Sequence, residues 1–181
     1  MQSEMRPNGA ASHAGAGAAG AGSAGAGAAA RAAAVGLGDS AAEMFLTLTV
    51  AGQLCGVPVL AVRDILSSQS ITRVPLAPRE VAGSLNLRGR IVTAIDLRRR
   101  LDLPERSPGS GPPMSVVVEQ SGELYSLLSD TVGEVVPLQA EGFAANPPTL
   151  DTIWREVSRG VHRQDDRLLI VLDVDRILAI G

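Results

Sequence analysis

Aromatic side chains are scarce: Phe45, Tyr125, Phe143 and Trp154 are the whole set in 181 residues. So few cannot build a platform on which successive bases stack. A net charge of −3 supplies no general cationic field for nucleic acid. Cys55 is the single cysteine, which excludes a disulfide framework and fits a reducing compartment. It stands between Leu54 and Gly56 in a strand-like stretch and reads as a structural thiol. His13 and His162 are the two histidines, and neither has a partner at metal-ligand spacing. No Gly-rich phosphate loop joins a strand to a helix. Long apolar runs are also missing. Residues 10–38 are nearly all Ala and Gly, without the Leu, Ile, Val and Phe of a membrane span. Glu4 offsets Arg6 and Gly interrupts every stretch, so a secretory signal is not expected either. Residues 1–42 read as a flexible tail with weak helical potential at 28–34. About 140 residues remain for a folded part, one domain spanning 43–181.

What that part contains is a repeat. Residues 45–66 (FLTLTVAGQLCGVPVLAVRDIL) align with 115–136 (SVVVEQSGELYSLLSDTVGEVV), placing Gly52 on Gly122, Leu54 on Leu124, Val62 on Val132 and Asp64 on Glu134. Residues 90–101 (RIVTAIDLRRRL) align with 167–178 (RLLIVLDVDRIL), placing Asp96 on Asp173 and Leu101 on Leu178. Each copy reads as strand, tight turn, strand, and later a buried strand ending in Asp. A lone copy of roughly 65 residues buries too little apolar surface to be comfortable by itself. Two copies predict a pseudo-symmetric double lobe with binding surfaces on its outside.

Alternation predicts strands over 44–50 and 54–59, joined by a turn at Ala51-Gly52-Gln53. Further apolar runs at 62–66 and 71–76 read as strands, or as a strand after a short turn of helix. Pro78 favours a short helix over 78–85. Asn86-Leu87-Arg88-Gly89 is a turn before a buried strand at 90–95, and Asp96 caps a short helix. The Pro/Gly/Ser stretch 103–113 marks the junction of the copies. In the second copy, strands are expected at 114–119, 124–128 and 131–137. An irregular stretch covers 138–154. A hairpin of 157–162 with 167–174 and a helical turn at 174–180 follow. Short strands between turn residues point to small barrels, an all-β class.

Few residues offer chemistry. Asp96 and Asp173 occupy equivalent positions, which invites an acid–base pair; each follows a buried strand and precedes a turn, and the reading adopted is helix capping. The Gly89 turn fixes the Arg88 guanidinium for a partner carboxylate or carbonyls, or for a salt bridge between the lobes to Asp64 or another carboxylate. Arg98-Arg99-Arg100 reads as the solvated side of a short helix with Leu97 and Leu101 buried.

Residues 72–101, TRVPLAPREVAGSLNLRGRIVTAIDLRRRL, resemble the hallmark stretch of the CheW family of chemotaxis coupling proteins. The opening FLTLTVAGQLCGVPVLAVRDIL, the central DTVGEVV and the closing RLLIVLDVDRIL carry the resemblance from Met44 to Ile180. It implies two five-stranded SH3-like β-barrels packed with pseudo-two-fold symmetry around a shared core, the lobes meeting near 102–113. It implies a non-enzymatic cytoplasmic adaptor without cofactor or metal, joining the cytoplasmic tips of methyl-accepting chemoreceptors to the CheA histidine kinase through the kinase's CheW-like regulatory domain. Neither nucleic acid nor membrane insertion is expected, and a peptide-binding module of a non-flagellar pathway is the alternative. By motif, the receptor-facing residues are Val62, Asp64 and Arg88, with Asp64 standing where many relatives carry Glu. The kinase-facing candidates are Ile71, Val74 and Leu76. The length leaves no room for a kinase or phosphoacceptor domain, and no receiver domain is expected after Gly181.

Overall fold

The computed structural model describes residues 42–180 apart from 68 and 165, so the Ala/Gly-rich tail lies outside the described residues. Eleven strands appear in chain order: β1 (Glu43–Val50), β2 (Gln53–Pro58), β3 (Val62–Ser67), β4 (Val81–Leu87), β5 (Arg90–Asp96), β6 (Met114–Gln120), β7 (Glu123–Ser129), β8 (Thr131–Leu138), β9 (Phe143–Ala144), β10 (Ser158–Gln164) and β11 (Arg167–Leu172). Three short helices accompany them: α1 (Leu97–Arg100), α2 (Thr152–Val157) and α3 (Val174–Leu178). The all-β class and double plan follow the sequence reading.

The two sheets are not the two repeats. One runs β8-β1-β2-β11-β10-β9 and the other β3-β6-β7-β5-β4. Each sheet therefore takes its first hairpin from the opposite half of the chain: β1–β2 joins β8–β11, and β6–β7 joins β3–β5. The 103–113 stretch joins the repeats, whereas the chain changes sheets at residues 58–62 and 129–131. Exchanging the halves maps the pairings onto themselves. Thr93↔Tyr125 in the parallel β5–β7 contact becomes Ile170↔Cys55 in β11–β2. Val62↔Val118 between β3 and β6 becomes Val132↔Leu48 between β8 and β1, and a register shift recurs beside each. This is pseudo-two-fold symmetry read from hydrogen bonds.

Each sheet also closes on itself. After β3 the chain reaches Thr72, whose N–H donates to Ser84 O and whose carbonyl accepts from Ser84 N, both at 2.8 Å, on the free side of β4. After β8 a 3₁₀ turn at Ala140–Gly142 leads to β9, which pairs with Val161 and His162 of β10. The six-stranded sheet thus differs from the five-stranded one only in that its closing segment is two residues instead of a single bridge. Gly83 and Gly160 make both closures possible. A Cβ on Gly83 (φ +149) would stand 2.2 Å from Thr72 O, and one on Gly160 would stand 2.6 Å from Ala144 O.

Alternation sorts side chains between three cores. Leu48, Val50, Cys55 and Val57 of one sheet meet Ile95, Val116, Val118 and Leu127 of the other in a shared centre. Leu97 of α1, Trp154 and Val157 of α2, and Val174 and Ile177 of α3 complete it. Inside one barrel lie Phe45, Leu138, Leu169 and Val171; inside the other lie Leu85, Val92, Ala94 and Leu128. Phe45 has Ser115 as its repeat equivalent and Gly56 has Ser126. These two buried serines hydrogen-bond to each other, so the second barrel replaces ring volume with a satisfied polar pair.

Two expectations fail. Residues 71–76 are not a strand: Pro75 has no N–H to give, Leu76 sits at φ +61, and only Thr72 pairs. Residues 78–85 are not a helix. Pro78 opens a single turn closed by Val81 N–H to Pro78 O at 3.0 Å, and β4 then forms along β5, because ladder pairing outweighs the local preference.

Asp130 holds the sheet-changing corner between β7 and β8. Its carboxylate takes a bidentate pair from Arg98 Nε and Nη2 (2.8 and 2.7 Å), the Ala51 N–H of the β1–β2 turn at 2.7 Å, and Arg106 at 3.3 Å. Arg98 also donates to Pro104 O and Arg106 to Gly111 O, so the proline-rich junction is strapped down. The Arg98 hydrogen bond holds the Asp130 carboxyl below the usual carboxylate range. A depressed folded-state value contributes stability above the unfolded value of about 3.9 and loses it as pH falls through the folded one. Asp130→Ala is therefore expected to cost about 1.5–3 kcal/mol at pH 7 in denaturant melts, with the gap to the parent narrowing as pH drops below about 4. Gly83→Ala is expected to cost about 2–3 kcal/mol in the same melts, because both the backbone and the Thr72 bridge must give.

Candidate functional site

The β4–β5 turn begins at the Leu87↔Arg90 pair, leaving Arg88 and Gly89 as its two central residues. Both have positive φ, +51 and +87, the pattern of a type I′ hairpin whose twist suits the strands. Asn86 Oδ1 accepts the Gly89 N–H at 2.8 Å and fixes the turn from below. Arg88 therefore occupies a left-handed position that a glycine would fill with less strain.

From this turn Arg88 Nη2 reaches Asp64 Oδ2 at 3.2 Å. Asp64 lies on β3, one end of its sheet, and Arg88 lies at the other end, so the pair spans the seam of one barrel. It does not bridge the lobes. The Arg88 side chain is 83% exposed and that of Asp64 24%. A pair this open to water contributes little to folding, typically under about 1 kcal/mol. Its evident effect is positional: the carboxylate holds a solvent-facing guanidinium in place. Asp64 Oδ1 meanwhile accepts its neighbour's N–H from Ile65 at 2.9 Å, which fixes the carboxylate. Val62, two residues earlier, is half-buried against the shared core across a register shift. The structure thus brings Asp64 and Arg88 together and leaves Val62 as support at the base of the same strand.

The repeat offers no twin of this pair. In the sequence alignment of the halves Glu134 stands in place of Asp64 and Asp165, outside the described residues, stands in place of Arg88, so the second copy carries two acidic residues there. The cationic seam belongs to one end of the molecule. Other groups beside it were missed from sequence. Arg63 Nε meets Glu119 Oε2 at 2.8 Å, and Ile65 and Ile91 expose much of their side chains. Ile91 was hidden because 90–95 reads as one apolar run; only the alternation with Val92 and Ala94, which point into the barrel, marks it as outward.

The three kinase-facing candidates separate. Ile71 packs against the interior of the Arg88 barrel with Leu85 and Val92. Val74 is half exposed and Leu76 fully exposed on the following loop.

Other polar groups are committed to the fold. Asp96 Oδ1 accepts from Arg98 N at 2.9 Å and caps α1, and Asp173 Oδ1 accepts from Arg176 N at 3.2 Å and caps α3, as expected. The run Arg98-Arg99-Arg100 departs from its reading. Leu97 and Leu101 are buried as expected, but the guanidinium groups are engaged instead of solvated. Arg98 binds Asp130, Arg99 pairs with Asp96, and Arg100 donates to the Ile177 and Arg176 carbonyls of α3. Burial pushes the Cys55 thiol up to about 12, so it stays protonated. His162 Nε2 lies 3.1 Å from Gln139 O beneath Phe143. Among the described residues no group of three His, Cys, Asp or Glu side chains could hold a metal ion, and no helix is long and apolar enough to cross a membrane.

A family profile described as the CheW-like domain matches residues 44–180. The chemotaxis protein CheW of Treponema pallidum is 28% identical over 137 residues, covering 74% of this chain and 81% of the relative. That of Klebsiella aerogenes is 28% identical over 143 residues, covering 78% and 85%. The crystal structure of the scaffolding protein TtCheW from Thermoanaerobacter tengcongensis superposes with a TM-score of 0.70 at 27% identity, covering 77% of this chain and 94% of that one. A repeat that exchanges hairpins into two barrels, matched along its whole length in sequence and in three dimensions, identifies this chain as a member of the CheW-like domain family.

Proposed function

We propose that this chain is a non-catalytic cytoplasmic adaptor that couples methyl-accepting chemoreceptors to a CheA-type histidine kinase. Membership of a family whose named relatives are chemotaxis and scaffolding proteins supports the reading. The observation that carries it is the exposed Arg88–Asp64 pair, found on one barrel among the described residues. An adaptor needs two different surfaces on one rigid body, and the seam gives one end a feature that the other lacks.

Receptor contact is assigned to Val62, Asp64 and Arg88. Arg88 offers a guanidinium already oriented by its turn and by Asp64, so little freedom is lost when it meets a carboxylate or carbonyl on a receptor helix. Kinase contact is assigned to the apolar loop after Ile71, with Val74 and Leu76 as its exposed members. Because the Arg88 turn and the loop after Ile71 belong to one barrel, a partner on each surface is held in a set orientation. Tethering then raises the local concentration of one partner near the other without any chemistry by the adaptor. No cofactor, nucleic acid or membrane insertion enters this mechanism, and association with the membrane runs through the receptors.

The test uses the full chain with receptor fragments and an intact CheA-type kinase from the same cell. Arg88→Ala is expected to weaken receptor binding about tenfold, equivalent to about 1.4 kcal/mol, and to abolish receptor control of kinase activity in a reconstituted array. Its melting temperature should stay close to that of the parent, since the pair is solvent-exposed. Normal receptor control by the Arg88→Ala protein would remove the role given to this residue, and absence of binding between the unmodified chain and any such kinase would remove the adaptor reading itself.

A further inference from the structure

Four strand ladders join the first half of the chain to the second: β1 with β8, β2 with β11, β3 with β6 and β5 with β7. The covalent connection between the same halves is the stretch 103–113. A ladder between halves does not depend on which copy of the chain supplies each half. Every contact that completes both barrels within one molecule is therefore offered equally by a second molecule. The connection decides which is used.

This connection is more than a tether. It holds Pro104, Pro108, Pro112 and Pro113, a composition that favours an extended path. The structure instead turns it back on itself. Ser107-Pro108-Gly109-Ser110 is a reverse turn closed by Ser110 N–H to Ser107 O at 3.0 Å. Pro at its second position and Gly109 at φ +89 in its third are the type II pattern. Arg106 clasps the turn. Its Nη2 donates to Gly111 O at 2.9 Å, and its Nη1 donates to Ser129 O at 3.2 Å and stands 3.3 Å from Asp130 Oδ1. Residues 107–111 are all exposed and add nothing to a core. A Cβ on Gly109 would meet nothing within 4 Å, so that position answers to backbone conformation alone. The evident effect of turn and clasp is to bring the second half back onto the first.

We infer that this chain forms an exchanged dimer when the turn at 107–110 opens, the first half of each copy completing both barrels with the second half of the other, and that Arg106 is the clasp that selects the single-chain form. The surface that receives the second copy is already visible, since it is the four ladders and the shared core. Opening keeps those and gives up the turn and the Arg106 bond to Gly111. The single chain is otherwise favoured by proximity, because a short tether holds one half at about millimolar concentration near the other. The exchanged dimer carries two complete double barrels, and so two Arg88–Asp64 pairs on one particle.

The experiment unfolds the full chain in denaturant and refolds it at about 1 μM and about 1 mM, below and near the concentration set by the tether. Mass is read by light scattering after gel filtration. A monomer is expected at the lower concentration and a dimer at the higher. The isolated dimer should keep its mass on dilution, because parting the copies requires unfolding them. Arg106→Ala and Gly109→Val are each expected to raise the dimer-to-monomer ratio about tenfold, the scale of one or two lost local interactions. Co-expression gives a test that does not depend on refolding. One tagged full chain carries Leu48→Asp in the first half, and a differently tagged one carries Ile170→Asp in the second. Each places a charge in the shared core and is expected to fail alone. Together their undamaged halves build one intact double barrel, and the two tags should co-purify. A chain that stays monomeric at the higher concentration, a dimer that separates on dilution, or damaged chains that do not rescue each other overturn the exchange. An exchanged dimer whose abundance both linker variants leave unchanged overturns the role given to the clasp.

Discussion

Two parallel strand contacts, β5 with β7 and β11 with β2, are the constraint on which the rest of this structure depends. In each, a strand from one half of the chain hydrogen-bonds a hairpin from the other half. Neither half can complete a barrel from its own strands, because the ladder it needs is supplied across the repeat. Such pairs lie far apart in sequence, so their closure is set against chain entropy and is compensated only when both halves are present. The two barrels therefore form one cooperative body instead of two beads on a linker. The shared core of Leu48, Val57, Ile95, Val116 and Leu127 sits where the exchanged strands face one another.

This architecture explains where polar side chains go. The chain must change sheets twice, and backbone at a crossing needs partners outside the regular ladder. Asp130 provides them at the second crossing, gathering Arg98, Arg106 and the Ala51 N–H. Arg100 does similar work for the carbonyls that end α3. Arginines that look like a basic patch in the sequence are thereby used internally. Arg88 stays mostly in water beside the seam, held there by its ion pair with Asp64.

Pseudo-symmetry also makes function assignable to one end. The fold gives both barrels the same turn after the first strand, the same bulges and the same closing glycines. Differences at equivalent positions are then informative, because the backbone asks for the same thing twice. Asp64 and Arg88 against Glu134 and Asp165 is such a difference, and so is Phe45 against Ser115. The second changes the interior of a barrel. Membership of the CheW-like domain family places these differences in a scaffold whose relatives are chemotaxis proteins.

Much was legible in the residues themselves. The period-two alternation, the Gly52 and Gly122 turns, the Asp96 and Asp173 caps and the repeat are local or self-comparing signals, and each appears in the structure. The Asn86–Gly89 turn was legible for the same reason, since its chemistry lies within four residues. Other features were not. The helix expected over 78–85 gave way to β4 because a ladder with β5 outweighs what Pro78 begins locally. Ile71 read as surface and is partly buried against the core of one barrel, while Ile91 read as interior and is mostly exposed, because burial depends on which sheet face a barrel turns inward. The sequence by itself determined the all-β class, the duplication and the turns, all of which are short-range. Only the tertiary structure decided that the halves trade hairpins, that Arg88 meets Asp64 across a seam, and that Leu76 stands alone in water. Each of those depends on strands brought side by side from distant parts of the chain, which no local pattern encodes.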